Sequence, residues 1–134
     1  MGYFFEFDAA NNVLRCCWEG QVTDDLLMEF YSGATKVVGA RPSCRGIVDF
    51  SGVAAFDVSS DTLKRLATLP TPLGVESMLL IVAPKDVVYG LSRMFSIHSE
   101  QTRPNLQIVR TMDEAFSVLG IASPQFSRVT ITDC

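Results

Sequence analysis

The chain reads as an α/β domain in which a mixed sheet is covered by helices, and three observations lead there. Its 134 residues are 48% apolar and 19% charged, and a globule of this length buries about two-thirds of its unfolded-chain surface, enough for one core. Short runs rich in aromatic and β-branched residues alternate with segments of helical periodicity, which implies parallel strands joined by right-handed crossovers. The first two β-rich runs follow each other with only a turn between them, which adds an antiparallel element.

The order is ββαβαβαβα. Tyr3 to Asp8 and Val13 to Glu19 flank Ala9-Ala10-Asn11-Asn12, a hairpin in which Asn tolerates left-handed turn positions. After Gly20-Gln21-Val22, Thr23 is an N-cap and Asp24-Asp25 suit the positive end of a helix. Leu27, Phe30, Tyr31, Ala34 and Val38 then form one apolar stripe until Gly39 and Pro42 end the helix. Gly46 to Phe50 is a buried strand. Ser59 and Ser60 open a short helix with Leu63, Leu66 and Ala67 facing inward before Pro70 and Pro72.

Met78 to Ala83 is the most continuously apolar segment, as a central parallel strand covered on both faces requires. The third helix runs from Asp86 to about Gln101, with Val87, Leu91, Met94, Phe95 and His98 inward and Gly90 allowing close approach to the sheet. Leu106 to Val109 is a strand, and Thr111-Met112-Asp113-Glu114 is a capping box opening a last helix that ends at Gly120. Residues 1–120 are read as the domain and 121–134 as a C-terminal arm, in which Phe126 to Thr132 is an edge strand or an ordered extension.

Charge and targeting signals narrow the function classes. Eleven Lys and Arg against 15 Asp and Glu give a net charge of −4, without the basic cluster that draws proteins onto phosphate backbones or anionic lipid, so no nucleic acid is expected as partner. The N-terminus lacks a basic and an apolar signal region, and position 6 is Glu where a myristoylation motif wants Ser or Thr. No apolar run approaches the roughly 20 residues of a membrane span. A cytoplasmic protein with reduced thiols is the expectation. Cys16, Cys17, Cys44 and Cys134 form no Cys-x-x-Cys pair, so neither a metal nor a cofactor is expected; Cys16 or Cys17 points inward as a small apolar residue.

This element order, with Ile47 to Val53 and then Asp57-Val58-Ser59-Ser60 at a helix start, resembles the STAS domain of anti-sigma factor antagonists. Ala83-Pro84, Val88 to Phe95 and Asp113-Glu114-Ala115 further resemble the small bacterial SpoIIAA-like (STAS/SEC14-like) proteins. The resemblance covers about residues 3–120. It implies a stand-alone regulatory or binding module whose phosphoacceptor is Ser59 or Ser60; the family's Asp-Ser-Ser-Gly appears here as Asp57-Val58-Ser59-Ser60-Asp61. The flavodoxin-like doubly wound sheet is the alternative fold, disfavoured by the opening hairpin and short second helix.

Two surfaces carry candidate chemistry. The carboxyl ends of parallel strands collect ligands and partners, and there the chain places Ser51, Asp57, Ser59, Ser60, Asp61 and Lys85, with Tyr89 and Arg93 along the third helix. These residues suit a protein partner or a small anion, Arg93 by bidentate contact. A phosphate on Ser59 or Ser60 would meet a helix N-terminus, with Asp57 and Asp61 opposing it. The alternative function is a carrier of a small apolar ligand or lipid, as the SEC14-like part of the resemblance implies, with Met94, Phe95 and Ile97 lining an adaptable pocket. No nucleophile elbow, Walker loop or dinucleotide fingerprint is present, and His98, read as a core or interface histidine, has no second histidine beside it. No enzyme is expected. The aromatic first strand and the arm suit either capping of the sheet edges or pairing in a homodimer.

Overall fold

The computed structural model describes residues 2–129. Their chain order is β1 (Tyr3–Asp8), β2 (Val13–Thr23), α1 (Asp24–Gly39), β3 (Arg45–Asp57), α2 (Ser60–Thr68), β4 (Leu79–Val82), α3 (Asp86–His98), β5 (Leu106–Val109), α4 (Met112–Leu119) and β6 (Ser127–Val129). The six strands form one sheet in the order β5-β4-β3-β2-β1-β6. Strands β2 to β5 are parallel, whereas β1 runs antiparallel to both β2 and β6. The fold is therefore α/β with a mixed sheet.

Local chemistry sets the boundaries. The Thr23 side chain accepts from the Leu26 N–H, Ser59 from Thr62 and Thr111 from Glu114, each satisfying a donor that the first helical turn leaves free. Gly120 ends α4 at φ +71°, a conformation that costs glycine nothing. The hairpin turn uses Asn12 at φ 54°. Asp8, fully buried, holds that turn: its carboxylate accepts from the Asn11 N–H at 3.0 Å, the Asn11 side chain at 2.7 Å and, across 117 positions of sequence, the Gln125 N–H at 2.9 Å. The C-terminal segment is thereby drawn back to β1, where Ser127 pairs with Phe7. Residues 130–134, including the remainder of the predicted edge strand and Cys134, lie outside the described residues.

Alternation along the strands divides the core in two. Phe5, Leu14, Cys16, Trp18, Phe50 and Ile81 point to one face and pack with Leu27, Ala34 and Val37 of α1, Leu63 and Leu66 of α2 and Val88 of α3. Val13, Ile47, Leu80, Val82 and Val109 point to the other and meet Ala115 and Leu119 of α4. Trp18, 1% exposed, sits among Tyr3, Phe30 and Phe50 with ring centroids 4.8 to 6.0 Å apart.

Several elements differ from the sequence expectation. Strand β2 does not stop at Glu19: it continues to Thr23 through two register shifts, at Cys17/Glu19 and Gly20/Gln21, with Gly20 at φ +73°. A bulge absorbs what reads as a break. Strand β3 continues from the expected Phe50 to Asp57, pairing with β2 throughout while β4 accompanies it only as far as Asp49. Helix α3 ends at His98 rather than near Gln101, and its buried residues are Val88 and Ser92. Val87 is 68% exposed, His98 is exposed and so is not a core histidine, and nothing lies within 4 Å of a Cβ added at Gly90, so no close approach to the sheet requires that glycine. The stripe of α3 is rotated from the one its apolar residues suggest because Ser92 occupies an inward position.

Candidate functional site

Helices α1, α2 and α3 do not close completely over their face of the sheet. Between them lies a partly open cavity of about 130 Å³, floored by Phe5, Leu14, Cys16, Phe50 and Ile81 of the sheet and walled by Leu27, Ala34, Leu63, Leu66, Leu91 and Phe95 of the helices. Thr71, Pro72 and Leu73, from the α2–β4 connection, also line it. Tyr31 of α1 donates its hydroxyl to the Pro70 carbonyl at 2.5 Å, tying α1 to that connection beside the cavity.

Against this apolar lining stand a few polar groups. Arg103, in the α3–β5 connection, is only 8% exposed and lines the cavity. Its Nη1 donates to the carbonyls of Leu66, Ala67 and Leu69 at 3.2 to 3.4 Å and to Thr102 Oγ1 at 3.1 Å. It thus caps the C-terminal end of α2, where the helix dipole is negative. Its guanidinium carbon lies 5.2 Å from the Phe95 ring centroid. Burial pulls the guanidinium pKa below its ordinary value, partly offset by Tyr31. Among the described residues no carboxylate pairs with it; the ion pairs are Arg15–Glu6 and Arg110–Asp86. Ser92, 5% exposed, also lines the cavity.

The polar edge read from sequence is also present in part. Asp24 accepts from the Ser59 N–H at 2.9 Å and from its hydroxyl at 3.1 Å, while that hydroxyl caps α2 through Thr62. Ser59 is therefore already held by a carboxylate. Ser60 is exposed as the first residue of α2, and Ser51, Asp57 and Asp61 are exposed as well. Lys85 donates through Nζ to the Val53 carbonyl at 2.7 Å, covering part of the β3 edge that β4 leaves bare. Tyr89 turns toward β5, stacked under Arg110 at 4.4 Å, and Asp86 pairs with the same arginine. Arg93 is exposed and, among the described residues, joins no hydrogen bond or ion pair.

Of the expected pocket residues, Phe95 lines the cavity. Met94 packs half-buried outside the lining, and Ile97 is 60% exposed. Sequence reasoning passed over Arg103 and Ser92. A lone arginine between Thr102 and Pro104 reads as an ordinary loop charge, and a serine inside a helix reads as a solvent position; the only available signal was Ser92 lying four residues after Val88, on the same helical face.

The thiols offer little reactivity. Burial raises the Cys16 pKa above its usual range, and Cys17, desolvated and placed beside Glu6, is pushed up to about 12. Neither gives an appreciable thiolate near neutrality. No three His, Cys, Asp or Glu side chains come together to hold a metal ion among the described residues, and no helix there is long and apolar enough to cross a membrane. The chain matches no known protein-family model, no curated protein and no solved structure.

Proposed function

We propose that the chain is a non-catalytic, STAS-like module that binds a small, largely apolar ligand in the cavity beneath α1, α2 and α3. The cavity itself carries this reading. At about 24 cal/mol for each Å³ of sealed void, a volume of about 130 Å³ costs at most about 3 kcal/mol, a ceiling because the cavity is partly open. That is a large share of the 5–15 kcal/mol by which domains are typically stable. An apolar space of this size takes up a benzene-sized guest, and lining residues from three helices and the sheet can read its shape.

Mass spectrometry tests it. Protein purified from its own host is compared in native and denatured intact form. Additional mass that disappears on denaturation supports a non-covalent ligand; a bare chain in both spectra counts against resident cargo.

A second reading is a protein-binding edge, and one observation favours it: β3 runs eight residues beyond its last pairing with β4, leaving strand edge to which another chain could add. In this reading α2 begins the contact surface and Ser60, exposed and not held by Asp24, is the better phosphoacceptor than Ser59. A covalent phosphate in the denatured spectrum, mapped to Ser60, supports it.

A further inference from the structure

Arg103 is the least explained buried charge among the described residues. It is more than nine-tenths buried, yet among the described residues its hydrogen-bond partners are backbone carbonyls and one hydroxyl, all reached through Nη1. Among the described residues its Nε and Nη2 have no hydrogen-bond partner, and neither is one of the sealed, unpartnered atoms there, Trp18 Nε1 and Ser99 Oγ. Those two donors form the side-on edge of a guanidinium, whose parallel N–H bonds match the two oxygens of a carboxylate. The Phe95 ring centroid lies 5.2 Å from the guanidinium carbon, and one turn earlier on α3 the buried Ser92 lines the same cavity. A buried cation without a counter-ion is costly, and beside it lies an apolar space.

We infer that the cavity accepts a small monocarboxylate, with its carboxylate on the Nε/Nη2 edge of Arg103, the Ser92 hydroxyl as a further donor, and its apolar tail among Leu63, Leu66 and Phe50. The inference rests on the cavity reading above and specifies its ligand. The tail is bounded by volume: a space near 130 Å³ suits about six carbons or one phenyl ring and does not suit a long acyl chain. Nη1 stays committed to the end of α2, so ligand binding and the helix cap use different edges of one side chain.

Calorimetric titrations of the wild-type chain with hexanoate, hexanol, benzene and palmitate, all at neutral pH, test this. Hexanoate is expected to bind roughly ten- to a hundredfold more tightly than hexanol, the range of a hydrogen bond to a charged group, and palmitate no more tightly than hexanoate. The preference for hexanoate over hexanol should vanish as the pH falls through the ligand's own carboxyl pKa. Arg103→Met should retain benzene and lose the preference; Arg103→Lys, which keeps the charge but not the fork, should lose most of it. Benzene and hexanol bound as well as hexanoate would overturn the carboxylate assignment and leave the cavity reading standing. Uptake of none of the four would overturn both. A preference unchanged in a folded Arg103→Met, or palmitate bound far more tightly, would overturn the site or the size class. Should both variants fail to fold, the wild-type comparison and its pH dependence still decide.

Discussion

Replacing Ala34 by Leu should make the protein more stable while filling its cavity. Ala34 is buried on α1 and lines the cavity, so the three added carbons enter an apolar space. At about 0.8 kcal/mol for each buried CH₂ the gain has a ceiling near 2.4 kcal/mol. Fitting a branched side chain among the other lining residues takes back part of it, so the expected increase is about 1–2 kcal/mol. Urea unfolding followed by the fluorescence of Trp18, the single tryptophan and 1% exposed, measures it directly. The midpoint should rise with an unchanged slope, since the surface exposed on unfolding is nearly the same. A loss of more than about 1 kcal/mol would mean that Ala34 already sits in a close-packed core, and the reasoning from cavity volume would fail.

Other expectations concern the frame that holds the site. Asp8→Ala should cost about 3 kcal/mol, because it removes a buried acceptor from two backbone N–H groups and one amide; thermal unfolding against wild type gives the number. Burial opposes ionisation of Asp8, but hydrogen bonds from Gln125, Asn11 and Ala10 prevail and hold its pKa below the ordinary carboxylate range. Its contribution is therefore full above the unfolded-state pKa and is lost as pH falls through the lower folded value, so the acid limb of the stability profile should flatten in Asp8→Ala. Gly120→Ala, at φ +71° with open space around it, should cost about 1 kcal/mol from backbone conformation alone, read as a lowered urea midpoint. In a Cys134→Ser background, Cys16, Cys17 and Cys44 should resist a thiol-specific disulfide reagent at pH 8 until the protein is unfolded, because burial raises all three; rapid native labelling would contradict this.

What the sequence made legible follows the range of the interactions involved. The caps at Thr23, Ser59 and Thr111 and the left-handed Gly120 are set by contacts within one turn, and all four stand where local chemistry puts them. The far half of β3 was hidden because Ser51, Gly52, Ala54 and Ala55 break its apolar run; only its partner β2, bulged at Gly20, shows why it stays extended. Helix α3 misled for a related reason. Val87 and His98 look inward by composition, but the face that packs is set by Val88 and by Ser92, a polar residue whose position belongs to the cavity. The cavity is the least legible feature of all, because it is defined by what several distant segments fail to fill. Phe95 was named from sequence, whereas Arg103 reaches the cavity only because the α3–β5 connection passes the end of α2.

The most direct test of the central claim is a calorimetric titration of the wild-type chain and Ala34→Leu with benzene, a probe with no polar group. Saturable one-to-one uptake by the wild type, abolished in the more stable variant, is the predicted result. A folded wild-type chain that takes up no benzene, or a variant that binds it equally well, would contradict the assignment of the cavity as the binding site.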